Sequence, residues 1–302
     1  MAKLYGALFT LSMIWGTSFL FVKLLLEDFG SWGVVFLRCL FGALTLVAIT
    51  FVKREAKQWR RLPWKAIIVV ALLNNAIPWG LIALSETQIS SSLASVVNAT
   101  TPIWTSLIGF AMFSSRMHKM QWIGIVVGFI GILVLLDLDV AGLFTENFIG
   151  IGTMIGAAIC YGLGSQLSKR NLSNLSVTMI SASTLSVATV VSFIMSMLTE
   201  PVQVQAVLEW NNLLSVIGIG VFGSGFAYLF YYYMIKEGSA EFASLVTYLV
   251  PVSALIWGAL LLDEAISVHM ILGLVLIFSG VYLSSRKSKA ATARTPAINK
   301  QA

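Results

Sequence analysis

Charge is what this sequence has least of. Asp, Glu, Lys and Arg make up 11% of its 302 residues, against 58% hydrophobic, where a soluble domain carries roughly 25% charge. That balance excludes an ordinary soluble fold. Cysteine is scarce too. Cys39 and Cys160 both lie in apolar runs, so no disulfide framework is expected, and the two read as helix-packing residues. The two histidines, His118 and His269, stand near the ends of such runs with no carboxylate or cysteine at ligand spacing. A Gly-x4-Gly-Lys-Ser/Thr phosphate loop is missing, which removes support for a built-in ATP motor. No apolar run holds a carboxylate near its middle. Glu27, Asp28, Glu86, Asp137, Asp139, Glu146, Glu200, Glu209, Asp263 and Glu264 read as external-loop residues, and Glu55, Glu237 and Glu241 as internal ones. A membrane hydrolase is therefore not expected, nor any enzyme, metal or cofactor. The same lack counts against an antiporter of hydrophobic cations, which would keep a buried carboxylate as counter-ion.

What is present is a succession of apolar runs about as long as a bilayer core is thick, roughly 20 residues as helix. Ten are read, at about 4–25, 31–52, 66–84, 91–113, 120–137, 148–168, 177–198, 213–235, 240–262 and 268–284. A β-barrel would show alternating segments of about 10 residues instead. The first run is read as a retained helix and not a signal peptide, since nine more follow and no small-residue cleavage pattern closes it. With the amino terminus inside, 17 of the 19 basic residues fall in cytoplasmic segments, and only Lys23 and Arg38 lie within runs. Basic residues near span ends are retained on the cytoplasmic side, so both termini are expected there, in a multi-pass protein of the cytoplasmic membrane. The cluster KREAKQWRRLPWK (53–65) reads as a topogenic loop against anionic headgroups, with no nucleic-acid partner. The basic tail 287–302 is expected to be disordered.

The chain also repeats itself. ASVVNATTPIWTSLIGFAMFSS begins at residue 94 and ASLVTYLVPVSALIWGALLLDE at 243, a shift of 149. The shift pairs Pro102 with Pro251, Gly109 with Gly258, Gly124 with Gly273 and Gly131 with Gly280. A weaker echo at 146 relates WGTSFLFVK (15–23) to YGLGSQLSK (161–169). Five runs per repeat, an odd number, oblige the second copy to enter from the opposite side. The expected fold is thus an all-α membrane protein of ten transmembrane helices in two inverted five-helix repeats, at 1–140 and 146–286. Such folds place a central site at the repeat interface.

IWGTSFLFVK, the FLRCLFGAL around Arg38, the two proline-bearing repeats, and the glycine-rich GIVVGFIGILVLL and GLVLIFSGVYLSS endings together resemble the EamA-type branch of the drug/metabolite transporter superfamily. The resemblance runs from residue 4 to about 285. It implies a ten-helix inverted-repeat fold, cytoplasmic termini and, usually, export of small metabolites. It does not name a substrate.

Candidate site residues follow from the repeat. Asn75 and Trp79 share a helical face, and the 149-residue shift sets them opposite Ser224 and Tyr228. The same shift sets Asn98 against Thr247, beside Tyr248, and the weaker one relates Trp15 to Tyr161. These nine are expected to include a substrate site, the plainer alternative being interhelical packing. Pro102 and Pro251 are read as hinges or as openings of the backbone toward a cavity. Arg38, about seven residues into its run, is either a partner for a substrate anion or a structural donor to helix-end carbonyls, Glu27 or Asp28. Lys23 reads as snorkelling. Tyr231, Tyr232 and Tyr233 read as an interfacial belt, and Gly124, Gly128, Gly131, Gly273 and Gly280 as close-packing positions.

The expected activity is secondary active or facilitative export of small polar or amphipathic metabolites such as amino acids, by alternating access. Energy would come from the substrate's own gradient or from exchange with a proton or other ion. The working unit would be a monomer or homodimer. Multidrug efflux, and a non-transporting receptor or scaffold, are the rivals.

Overall fold

The computed structural model describes residues 2–89, 91–115, 117–135, 148–253 and 268–285, and among these the regular structure is helical. A chain this apolar has no alternative to the helix or the closed barrel, because lipid offers backbone groups no partners. The helices are α1 (Ala2–Leu25), α2 (Ser31–Val52), α3 (Trp64–Glu86), α4 (Ser91–Asn98 continuing as Thr101–Phe113), α5 (Lys119–Leu135), α6 (Phe148–Asn171), α7 (Val177–Thr199), α8 (Trp210–Glu237), α9 (Ala240–Ser253) and α10 (Val268–Ser285). Each falls on one of the ten apolar runs. Seven of them are long and apolar enough to cross a membrane, while α5, α9 and α10 contain shorter apolar stretches. Gly258, Asp137, Asp139, Glu146, Asp263, Glu264 and the 287–302 tail lie outside the described residues.

Contacts between helices respect the 149-residue shift. Helix α1 packs on the second half of α8, and its image α6 packs on α3; α2 lies against α7. The clearest case is the seam between α5 and α10, which run antiparallel. A Cβ on Gly124 would strike Ser284, and one on Gly273 would strike Leu135. Moving Gly124 and Leu135 forward by 149 gives Gly273 and Ser284, so the two contacts are images of each other. Gly128 with Gly280, and Gly131 with Ile277, form the second such pair. Glycine is required here because the two backbones touch, as expected of small-residue faces in membrane bundles.

Two helices depart from α geometry at equivalent places. Leu72–Ala76 in α3 and Ile217–Phe226 in α8 are π-helical, and the first range shifted by 149 falls inside the second. In α3 the cause is partly visible in sequence: Pro78 has no N–H to give to the carbonyl four residues back, that of Asn74. Helix α4 is interrupted at Ala99 and Thr100, and Pro102 sits in the first turn of its second piece. The proline therefore follows the break instead of bending a continuous helix. The carbonyl its missing N–H would have met, on Asn98, accepts from the Thr101 hydroxyl at 2.6 Å. In α9 the corresponding turn is at Leu245, six residues before Pro251. The two halves thus place their interruptions differently around matching prolines.

The glycine seam carries a direct test. Gly280→Val should destabilise the protein by roughly 1–3 kcal/mol, the usual cost of overpacking, read as a lowered melting temperature in detergent. Gly6→Val, at a position where an added Cβ meets nothing within 4 Å, should leave melting unchanged. Equal melting of both variants would remove the seam from the stability of the fold.

Candidate functional site

The π segments leave carbonyls without their usual helical donors, and aromatic side chains from elsewhere supply them. Tyr228 Oη donates to Asn74 O at 2.8 Å. Trp15 Nε1 donates to Gly223 O at 2.9 Å. Asn74 and Gly223 are themselves 149 residues apart, so both repeats use one device at one position. These donors are locked by their neighbours. Tyr228 is fully buried and its ring meets Trp79 edge-on at 5.3 Å, with Trp15, Tyr231 and Tyr232 at 6.2, 5.7 and 5.6 Å. Offset edge-to-face contacts of this kind add stabilisation beyond area burial. Tyr231 and Tyr232 are therefore core residues, not the interfacial belt expected from their place near Lys236. The helical face turned inward, and not proximity to the span end, decides their environment.

Above this aromatic layer lies a cavity with about 630 Å³ of unfilled space, part of it open to the surroundings. Trp15, Ser18 and Val22 of α1, Arg38 of α2, and Trp79, Ile82 and Glu86 of α3 line it; Asn98, Thr101, Tyr161, Tyr231, Ser244, Val246, Thr247 and Val250 complete the wall. Six of the nine repeat-derived candidates bear on it as follows. Trp15, Trp79, Asn98, Tyr161 and Thr247 line the cavity. Tyr228 lies under it as the ring against Trp79 and Trp15. Thr101 and Val250, the immediate neighbours of Pro102 and Pro251, are a further pair related by 149; the prolines themselves are not in the wall.

Three candidates stand elsewhere. Ser224 accepts from Arg38 Nε at 3.3 Å and donates to Ile219 O within its own π segment. Asn75 is wholly buried, and its amide meets no protein hydrogen-bond partner among the described residues. Tyr248 is set apart, its hydroxyl on Ile125 O at 2.7 Å and its ring against Gly128 of α5.

Arg38 is 6% exposed, with its guanidinium 3.6 Å above the Trp79 ring. Of the loop carboxylates offered as its structural partners, Asp28 accepts from Asn212 at 2.8 Å. Arg38 is held instead by Ser224 and stacked on an aromatic face, an arrangement suited to guanidinium. Sequence reasoning missed its counterpart. Glu86, assigned above to an external loop, closes α3 as its last residue and is 1% exposed in the cavity wall. The run of apolar residues ends before it, so hydropathy alone stops the span too early. Lys23 reaches back to the Glu86 carbonyl at 3.3 Å, holding the end of α3 to α1.

At the opposite end of the bundle, polar groups tie neighbouring helices together, and the bond from Ser115 to Glu241 crosses between the two repeats. Glu241 of α9 accepts from Gln166 Nε2 at 2.8 Å and from Ser115, just beyond α4, at 2.7 Å. Lys169 donates to the carbonyls of Lys236 and Gly238.

Comparison with known proteins agrees with this arrangement. The model of the EamA-like transporter family matches residues 3–137 and again 148–286. The chain belongs to the EamA-like transporter family. The double match gives this EamA protein its two repeats, and with the apolar helices it makes the chain a multi-pass protein of the cytoplasmic membrane. Relatives include the uncharacterized transporter YoaV of Bacillus subtilis, 24% identical over 94% of this chain and 97% of YoaV. The uncharacterized inner membrane transporter YedA of Escherichia coli K12 is 28% identical over 94% of this chain and 91% of YedA. A solved crystal structure with 17% identity superposes with a TM-score of 0.78, covering 94% of this chain and 97% of the other. It supports the fold.

Tyr228→Phe tests the aromatic donor. It keeps the ring and strands the Asn74 carbonyl, so it should cost about 1–3 kcal/mol, seen as earlier thermal unfolding. Tyr232→Phe, whose hydroxyl contact to Thr184 is 3.4 Å long, should cost less. The reverse ranking would refute the assigned role.

Proposed function

We propose that this EamA protein is a secondary active or facilitative exporter of small polar or amphipathic metabolites, amino acids among them, working by alternating access. Ten spanning helices in two inverted five-helix halves, with both termini in the cytoplasm, would carry it. The observation behind this reading is that repeat-related residues meet on one cavity. Asn98 with Thr247, Thr101 with Val250, and Trp15 with Tyr161 all line it. A site shared by inverted halves is the requirement for presenting one ligand to either side.

On this reading, with the amino terminus inside, the described state would be the outward-facing one. The cavity reaches Val22 and Glu86, at the outer ends of α1 and α3. On the cytoplasmic side Glu241, Gln166 and Ser115 join α9, α6 and the end of α4. Inward opening would part these bonds and admit water toward the buried Asn75 amide. Burying an amide without a partner costs free energy, so that opening relieves a cost the outward state carries. Apolar and aromatic walls suit the non-polar part of an amphipathic ligand, and the polar groups of Ser18, Asn98, Thr101 and Thr247 suit its head.

The deciding experiment is metabolite profiling of the medium from deletion and overexpressing cells, followed by flux in proteoliposomes. Export of at least one small metabolite is expected, and its absence in both assays would overturn the proposal. Two variants probe the mechanism. Glu241→Ala should favour the inward state, so that a cysteine placed at Asn75 reacts faster with an impermeant thiol reagent added from the cytoplasmic side. Unchanged labelling would show that the Glu241 contacts do not close that side. Replacing both Pro102 and Pro251 by alanine should lower flux by about tenfold, on the order of 1.4 kcal/mol in the rate-limiting step, with melting little changed. Wild-type flux in that double variant would reduce the prolines to packing.

A further inference from the structure

A second cavity lies on the other side of α3. It holds about 820 Å³ of unfilled space, part of it open to the surroundings, between α3, the start of α2 and the end of α7. Trp79, Ile82 and Glu86 line the central cavity, whereas Ile77, Leu81 and Leu84 line this cleft. The helical period puts the two sets on opposite faces of α3. Ile77 and Leu84 are exposed, and α3 is long and apolar enough to cross a membrane, so the cleft opens toward lipid. Gly80 has no side chain to hold the Trp32 indole away. An added Cβ there would meet that ring at 2.8 Å, and Trp32 forms part of the cleft wall. One end of the cleft is polar, where Ser31, Thr199 and Glu200 come together.

We infer that the cleft binds a phospholipid whose headgroup ends in a primary ammonium, as in phosphatidylethanolamine. An acyl chain lies along α3 against Trp32, and the ammonium meets the Glu200 carboxylate. Such a site is independent of what the central cavity carries.

The apolar part follows from place and shape. From Ile77 to Leu84 the wall runs seven residues, about 10 Å of helix, and a lipid chain is the apolar body that the surrounding membrane supplies. Charge then selects the headgroup. Glu200 is the one charged residue in the wall among the described residues, and its carboxylate lies against Gly30, just before α2. The segments joining helices at this end, 26–30, 87–90 and 200–209, contain no lysine or arginine, while Glu27, Asp28 and Glu209 add negative charge. Lys23 is directed to the Glu86 carbonyl at 3.3 Å and is not in the wall. An anionic headgroup would therefore meet only like charge here. Choline carries positive charge but no N–H, whereas a primary ammonium offers three donors and makes charge-assisted hydrogen bonds to carboxylate. The hydroxyls of Ser31 and Thr199 stand at the same end to donate to the phosphate.

The test needs no transport assay. Purified protein is reconstituted in phosphatidylcholine bilayers with rising fractions of ethanolamine, choline or glycerol phospholipid carrying identical brominated acyl chains, which quench nearby tryptophan. The Trp32 signal is the difference between wild type and Trp32→Phe. Phosphatidylethanolamine should reach half-maximal quenching at a fraction at least about threefold lower than either other lipid, the scale of a partly exposed charge pair. Glu200→Gln should abolish that preference while Trp32 remains quenched by all three. Equal quenching by the three headgroups in the wild type would overturn the inference, as would a preference that survives Glu200→Gln. Absence of Trp32 quenching by any of them would remove the acyl-chain site itself. Should Trp32→Phe fail to give a monodisperse protein, mass spectrometry of intact wild-type and Glu200→Gln complexes with the same lipids reads the preference directly, and the same outcomes decide.

Discussion

The structure depends on one kind of hydrogen bond: an aromatic side chain donating to a backbone carbonyl that the π segments have freed. Tyr228 does this for Asn74 and Trp15 for Gly223. A carbonyl without a donor inside a membrane protein is costly, so a departure from α geometry survives only where a donor can be fixed nearby. Fixing Tyr228 brings Trp79, Tyr231 and Tyr232 around it. Trp79 in turn supports the Arg38 guanidinium, and Ser224, inside the second π segment, holds its Nε. The charged side of the cavity is thus built on the same irregular backbone that its aromatic floor repairs.

Much of the architecture was legible in the sequence because the features that reveal it are backbone requirements. Gly124, Gly128, Gly131, Gly273 and Gly280 are readable as a packing face since only glycine lets two helix backbones touch, and α5 meets α10 through them. The repeat shift likewise predicted which residues would meet: Trp79 and Tyr228 are in direct ring contact, and Asn98 and Thr247 share the cavity. The shift works because residues at equal places in the two repeats come together where the repeats meet.

What was not legible depends on side-chain direction and on helix ends. Hydropathy marks where a run becomes polar, not where the helix stops, so Glu86 read as loop although α3 continues through it and the residue lines the cavity. Tyr231 and Tyr232 read as a belt because they stand near a basic residue, whereas their face of α8 points inward. Tyr248 adjoins a cavity residue in sequence, yet successive helical positions diverge and its ring lies on α5. The π geometry has a partial cue in Pro78 on α3, and no comparable cue marks the ten-residue segment in α8.

The glycine seam also has a consequence in time. Its two faces are made far apart: the position equivalent to Gly124 of α5 is Gly273 of α10, 149 residues later. At a synthesis rate of 5–20 residues per second, the first face waits roughly 7 to 30 s for its partner to emerge. Through that interval α5 must rest its notched surface against lipid or against the first four helices. The final pairing therefore closes the bundle late, after every helix before α10 has been made. A substitution that fills the notch would act on a nascent chain before it ever affected a finished one.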